Sequence, residues 1–343
     1  MIRSGAAPVL LVGGITCQRE HPLSVAVPSD AQRTSSHDTA PATRLKRIGV
    51  LYWSATIEGQ RAMRRGVERE AQRLTSSGAR FELVPSVAGD GADGKARQVE
   101  QMVLGPQLRR ANAAGIPVVA WDQYIEEGTL AAFVTSDNAQ AGRLDGEYIA
   151  NRFPAGHNIR LVLVEYPPVS STVERLDAFL AALERQGRRH TILATYEAVE
   201  PVAGAQAGAQ LLRDFPQRGS VDAVFTVNDG GGLAVVEALK AAGRTEILVA
   251  TVDGDPKSVE NIRSGTVTVI DAAQFCGPLG EAAMHTMWQV LEGKPVPRRR
   301  LVSTFPVTAE TLARYPGWDG PLPAPFTLPW PSQTATWTAG DAL

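Results

Sequence analysis

The chain has 343 residues, of which 44% are hydrophobic, enough to bury a core in each of two modest domains. A formal net charge of −2 supplies no global field that would favour nucleic acid or an anionic membrane. The two cysteines, Cys17 and Cys276, belong to no CxxC pair or Cys/His cluster, so neither a metal site nor a cofactor is expected.

At the N-terminus Arg3 precedes an apolar run, Ala6–Val12, which is followed by Gly13-Gly14-Ile15-Thr16-Cys17. The run is too short to span a bilayer but has the length of a signal-peptide core, so residues 1–25 read as an export signal. Cys17 is a candidate lipoprotein acceptor, although Thr16 before it is a poor match to the small residue such a site prefers. Residues 26–45, rich in Ser, Thr and Pro, read as a polar tether.

From Lys46 the pattern alternates. Strands are predicted at Arg47–Trp53, Phe81–Val87, Ile116–Trp121 and Leu130–Thr135, and helices at Glu58–Leu74 and Lys95–Leu104, the latter opened by the loop GDGADG. Asp137 reads as the cap of a helix to Arg152, with Gln140 at the capping-box position. The second half repeats the rhythm. Strands are predicted at Ile159–Glu165, Ile192–Tyr196, Ala223–Val227, Ile247–Val252, Thr266–Ile270 and Leu301–Phe305. Helices fall between them, and Ser171 and Glu174 form a capping box for the one ending at Arg185. Such alternation predicts an α/β chain with parallel sheets wound by right-handed crossovers. Beyond residue 318 the periodicity dissolves into a Pro-rich tail, 319–343.

Parallel sheets bind ligands beyond the carboxyl ends of their strands. Polar or aromatic groups gather at five such ends: Trp53, Asp122-Gln123, Asn228, Asp253 and Asp271. Each alone reads as a turn or helix-cap residue; together they point to a ligand site.

The segments RIGVLYW, EGQRAMRRGVEREA, ANAAGIPVVAWDQ, VTSDNAQAGRLDGEYIA, STVERLDAF, VDAVFTVND and LVATVDGDP, in this order, are similar to type I periplasmic solute-binding proteins of the sugar class. The resemblance implies two doubly wound parallel-sheet lobes joined by a three-strand hinge. The N-terminal lobe would comprise 46–136 plus 272–300, and the C-terminal lobe 137–271 plus 301–318. It implies a monomer in the periplasm that delivers a small sugar or polyol to an ABC-type inner-membrane permease or to a membrane sensor. The site would consist of Asp122, Gln123, Arg175, Asn228, Asp253 and Asp271, the last standing where a Gln is common. Gln60 stands where a paired aromatic is frequent, and Trp53 offers a substitute stacking face.

Two other functions are disfavoured. Regulators sharing this fold carry a helix-turn-helix ahead of it, whereas here an apolar run and a tether precede residue 46. An enzyme lacks its signals: NDGGGLA misses the G-x-G-x-x-G spacing and no G-x-S-x-G elbow occurs. One stretch departs from the family. Only GPQLRRANAAG separates Leu104 from Ile116, too little for a strand plus a crossover helix. One strand of the N-terminal sheet is therefore expected to be missing, leaving a rearranged sheet and the alternative of a paralogue with impaired binding.

Overall fold

The computed structural model describes residues 9–12, 45–52, 55, 57–87 and 105–340. The tether, Cys17, Trp53, the loop GDGADG and the helix expected at Lys95–Leu104 lie outside the described residues.

Two six-stranded sheets form the framework. The first contains β1 (Val9–Val12), β2 (Lys46–Tyr52), β3 (Phe81–Val87), β4 (Val118–Trp121), β5 (Ala132–Ser136) and β11 (Arg299–Val302), in the order β11-β5-β4-β1-β2-β3. Every pairing in it is parallel. The second contains β6 (Asn158–Glu165), β7 (Arg189–Glu197), β8 (Ala223–Thr226), β9 (Leu248–Asp253), β10 (Thr268–Ala273) and β12 (Phe305–Thr308), in the order β12-β10-β9-β8-β6-β7. Only its edge strand β12 runs antiparallel. β4, β5 and β8 are buried along their whole length, as strands covered on both faces must be.

Helices α1 (Glu58–Ser76) and α8 (Cys276–Leu291) pack together on the first sheet, and residues 105–113 form α2. On the second sheet α3 (Asn138–Asn151) packs on α4 (Ser170–Arg185), and α5 (Pro201–Asp214) on α6 (Asp229–Ala241), while α7 (Pro256–Arg263) follows β9. The α3–α4 contact is close: a Cβ added to Gly142 would stand 1.9 Å from the Arg175 carbonyl oxygen. Gly142→Ala must push α4 away, so it should destabilise by about 1–3 kcal/mol in urea unfolding despite its better helix propensity. A neutral result would mean the helices can separate freely.

The chain crosses between the sheets three times, after β5, after β10 and between β11 and β12. The last two crossings fall two or three residues later than the sequence suggests. β10 continues to Ala273, and the single strand expected at Leu301–Phe305 is two strands, one per sheet, separated by Ser303-Thr304. Asp137 accepts from Gln140 N as a helix cap should, at 2.8 Å. The Gln140 side chain does not close a capping box; its Oε1 accepts from Thr304 N at 2.6 Å and so pins one crossing to another. α4, unlike α3, has no side-chain cap, so the capping box expected from Ser171 and Glu174 does not form. Thr172 Oγ1 donates to the Tyr166 and Val169 carbonyls, and Glu174 pairs with Arg299 of β11 at 2.6 Å, joining the two lobes.

No strand occurs among described residues 105–117, yet the first sheet has no gap. β1 lies between β2 and β4, pairing Val9–Val12 with Ile48–Leu51 and Leu10–Val12 with Val118–Ala120. The slot borders β4, which is fully buried, and β2, which is buried at Ile48, Val50 and Tyr52; unpaired N–H and C=O groups there would be costly. The strand expected to be missing is thus supplied by the apolar run that reads as a signal core.

The tail is docked rather than loose. β13 (Phe326–Thr327) and β14 (Thr336–Trp337) pair antiparallel. Trp337 is buried against Phe305 and donates from Nε1 to Thr304 O at 2.7 Å; Trp330 packs edge-on against Tyr148 at 4.9 Å.

Candidate functional site

The second sheet's strand ends carry the most ordered polar cluster. β9 ends at Asp253, which has φ 131° and is followed by Gly254 at φ 80°, so the chain kinks where the sheet stops. Such φ values strain a side chain other than glycine, and strain of this kind gathers at functional positions. α4 brings Arg175, 5% exposed, to the same place. Its Nε donates to Asn138 Oδ1 at 2.9 Å, and its NH1 donates to Val227 O at 2.8 Å and Asp253 Oδ1 at 3.0 Å. Gln274, immediately after β10, donates from Nε2 to the same Asp253 oxygen at 2.6 Å, and its Oε1 accepts from Ser136 Oγ at 2.6 Å. One carboxylate oxygen of Asp253 is therefore held by two donors. Among the described residues Oδ2 and the second terminal nitrogen of Arg175 have no protein partner, which leaves one acceptor and one donor of this ion pair unused.

On the first sheet, Asp122 follows β4 with φ 65°, its N–H bonded to Val134 O at 2.8 Å. Gln60, in the first turn of α1, reaches Asp122 Oδ2 from Nε2 at 3.4 Å, while its Oε1 is buried without a partner among the described residues. Gln123 is half-buried beside them. Each lobe thus offers a carboxylate and amide or guanidinium donors at its strand ends, with Asn138 and Gln274 at the crossings between.

Two expected site residues are engaged by hydrogen bonds within the fold. Asn228 caps α6, accepting from Gly231 N at 3.2 Å and donating to Val199 O at 3.0 Å. Asp271 is fully buried within β10, where Oδ1 accepts from Gly254 N at 2.9 Å. It supports the Asp253–Gly254 kink from beneath, and Gln274, three residues on, is the group that meets Asp253. Gln274 and Asn138 were missed by sequence reasoning. The signal for Gln274 was its place just past a strand whose last residues, Ala272 and Ala273, are small.

Beneath the kink lies a layer of buried acids. Asp229 accepts from Thr251 Oγ1 at 2.8 Å and Asp255 N at 2.7 Å, whereas the Asp145 carboxyl makes no hydrogen bond of ordinary geometry among the described residues. Burial, together with one another's charge, pushes Asp145 and Asp229 well above the carboxylate range and Asp271 up to about 8. A carboxyl raised in the folded state adds stability that is complete below its unfolded value, 3.8, and is lost as pH rises through about 8. Asp271→Asn keeps an acceptor for Gly254 N and cannot ionise. The melting temperature of the variant relative to the parent should therefore climb between pH 4 and pH 8 and level off above; a pH-independent difference would contradict the assignment. Cys276, buried with its thiol pKa driven up by burial, is an inert core residue.

Known proteins are similar to this chain in sequence and fold. The ribose import binding protein RbsB of Escherichia coli (strain K12) is 28% identical over 195 residues, covering 56% of this chain and 63% of that protein, so the chain spans just under two thirds of that relative. The xylitol-binding protein of Mycolicibacterium smegmatis is 26% identical over 258 residues, 66% of this chain and 67% of that protein. Among solved structures, an ABC transporter solute binding protein from Agrobacterium vitis with bound allitol superposes with a TM-score of 0.66 at 24% identity, covering 79% of this chain and 98% of that one. One from Mycobacterium smegmatis with bound glycerol gives 0.65 at 23% identity, covering 78% and 95%. These two share the two-lobed fold. Residues 96–295 match the periplasmic binding protein domain, and with more than half of its length so matched the chain belongs to that family.

Proposed function

We propose that the chain is the solute-binding component of an ABC-type importer and captures a small sugar or polyol between its two lobes without chemically altering it. The observation that carries this reading is the Arg175–Asp253–Gln274 cluster, with its unused donor and acceptor, at the strand ends of one lobe, and the Gln60–Asp122 pair at those of the other. A hydroxyl both donates and accepts, so it matches a carboxylate oxygen beside a guanidinium N–H. A site built this way rejects an analogue lacking one hydroxyl, because a buried partner is left unpaired. The ribose and xylitol named for the relatives, and the allitol and glycerol bound by the structural neighbours, are of this class. Export to the periplasm, a monomeric state and an inner-membrane permease as partner belong to the same proposal. Presentation of the ligand to a membrane sensor uses the same closing lobes.

The test is a thermal-shift screen against pentoses, hexoses, alditols and amino sugars. A ligand that binds only the folded state raises the melting point by mass action, so at least one class should shift it. Silence across the panel would favour a second reading, a paralogue with impaired binding. That reading rests on the first sheet, whose central strand comes from β1 instead of from the stretch before β4.

A further inference from the structure

The segment after β12 does more than cover the surface. It leaves the second sheet, runs to the first lobe at Trp318-Asp319, and returns to the second lobe at Trp330. The side chains of its two middle residues bind opposite lobes. Trp318 Nε1 donates to the backbone carbonyl of Asp253 at 2.6 Å. Asp319 accepts from Arg65 Nε at 2.9 Å and from Arg69 NH1 at 3.3 Å, both on α1. The Trp318 carbonyl accepts from Gly277 N, in the first turn of α8, at 2.8 Å. Just upstream, the Tyr315 hydroxyl donates to Gln274 O at 3.3 Å and its ring stacks on Phe305 at 5.7 Å, both beside crossings.

We propose that Trp318-Asp319 is a latch across the hinge, which sets the separation of the lobes and holds the Asp253 kink without itself touching the ligand. Consecutive residues have Cα atoms about 3.8 Å apart, so groups bonded to them cannot part far while both bonds persist. Opening the lobes must break the indole bond to Asp253, or else strain both first-lobe ties, the carboxylate pairing with the α1 arginines and the bond from Gly277 N to the Trp318 carbonyl. Because the latch lies beside the crossings, a small slip there becomes a larger displacement at the lips of the cleft. The anchors on either side, Tyr315 on Phe305 and Trp337 on Thr304 O, keep the segment from drifting away when one bond yields. The latch ties Asp253 to α1 of the first lobe, whereas Arg175 ties it to α4 within its own lobe. The proposal concerns the lobes themselves and holds whatever the ligand.

The experiment measures the distance between spin labels on the two lobes of the full chain without added ligand. Labels go on Gln72→Cys in α1 and Val202→Cys in α5, both exposed, in a Cys17→Ser background; Cys276 is buried and stays unlabelled. Asp319→Asn and Trp318→Phe should each shift the distance distribution to longer values and broaden it, while Asp319→Glu, which keeps the carboxylate, should leave it as in the parent. Asp319 lies at the surface, so its variants remain readable if Trp318→Phe folds poorly. Distributions that stay unchanged in folded Asp319→Asn, or that shift equally in Asp319→Glu, overturn the latch.

Discussion

Replacing Arg175 by alanine should lower stability by about 3 kcal/mol and remove any ligand-induced thermal shift. The guanidinium is buried and satisfies three acceptors at once: Asn138 Oδ1, Val227 O and Asp253 Oδ1. Without it, two buried acceptors lose their donor and the Asp253 carboxylate keeps only the Gln274 amide. Removing one partner of a buried ion pair costs about 3–5 kcal/mol, because the remaining charge is left uncompensated. Asp253 retains some solvent contact, its side chain being 21% exposed, which places the effect at the lower end. Urea unfolding measures the stability term and the ligand screen measures the binding term. A variant as stable as the parent would mean that Arg175 is a solvated surface residue, contrary to the geometry.

Placing proline at Leu11 should disrupt the first lobe far more than the second. Leu11 pairs with Val50 on one side and Val119 on the other, in the middle of a parallel sheet. Proline has no N–H to give to the ladder and is confined to edges, first residues and bulges. A bonding group left unsatisfied in such a place costs on the order of 3 kcal/mol together with the distortion around it. Hydrogen exchange should show β2 and β4 losing protection in Leu11→Pro while β8 and β9 keep theirs. Unchanged protection in β2 would mean that β1 is dispensable. The same slot bears on export. If a signal peptidase cuts near residue 25, β1 is removed and the mature first sheet must close without it, so the N-terminal residue of the secreted protein decides whether run 9–12 serves as signal or as strand.

Most of the architecture was legible because parallel strands and their covering helices announce themselves by period: AVFT reads as a doubly buried strand, and Met63, Val67, Ala71 and Leu74 mark one face of α1. The absent strand was legible too, since eleven-odd residues cannot carry a strand and a crossover helix. What would fill its place was not, because VLLV suits a signal core and a buried strand equally. At the candidate site, Asp122 and Asp253 were visible as polar residues at apolar strand ends, whereas Arg175, inside α4, was marked only by the resemblance of the segment STVERLDAF to the family. Gln274 was hidden because Ala272 and Ala273 do not look like a strand, so the period signal stops at Ile270 while β10 runs on to Ala273. The latch was invisible for another reason. Trp318, Trp330 and Trp337 each anchor through a single side chain, and single anchors leave no periodic trace.

The account stands most directly on where a ligand sits. A crystal structure with whichever sugar or polyol gives the largest thermal shift should show its hydroxyls within hydrogen-bond distance of Asp253 Oδ2, of the free Arg175 nitrogen and of the Gln60–Asp122 pair, with both lobes touching one molecule. A ligand bound outside the cleft, or bound there with Asp253 and Arg175 untouched, would contradict it.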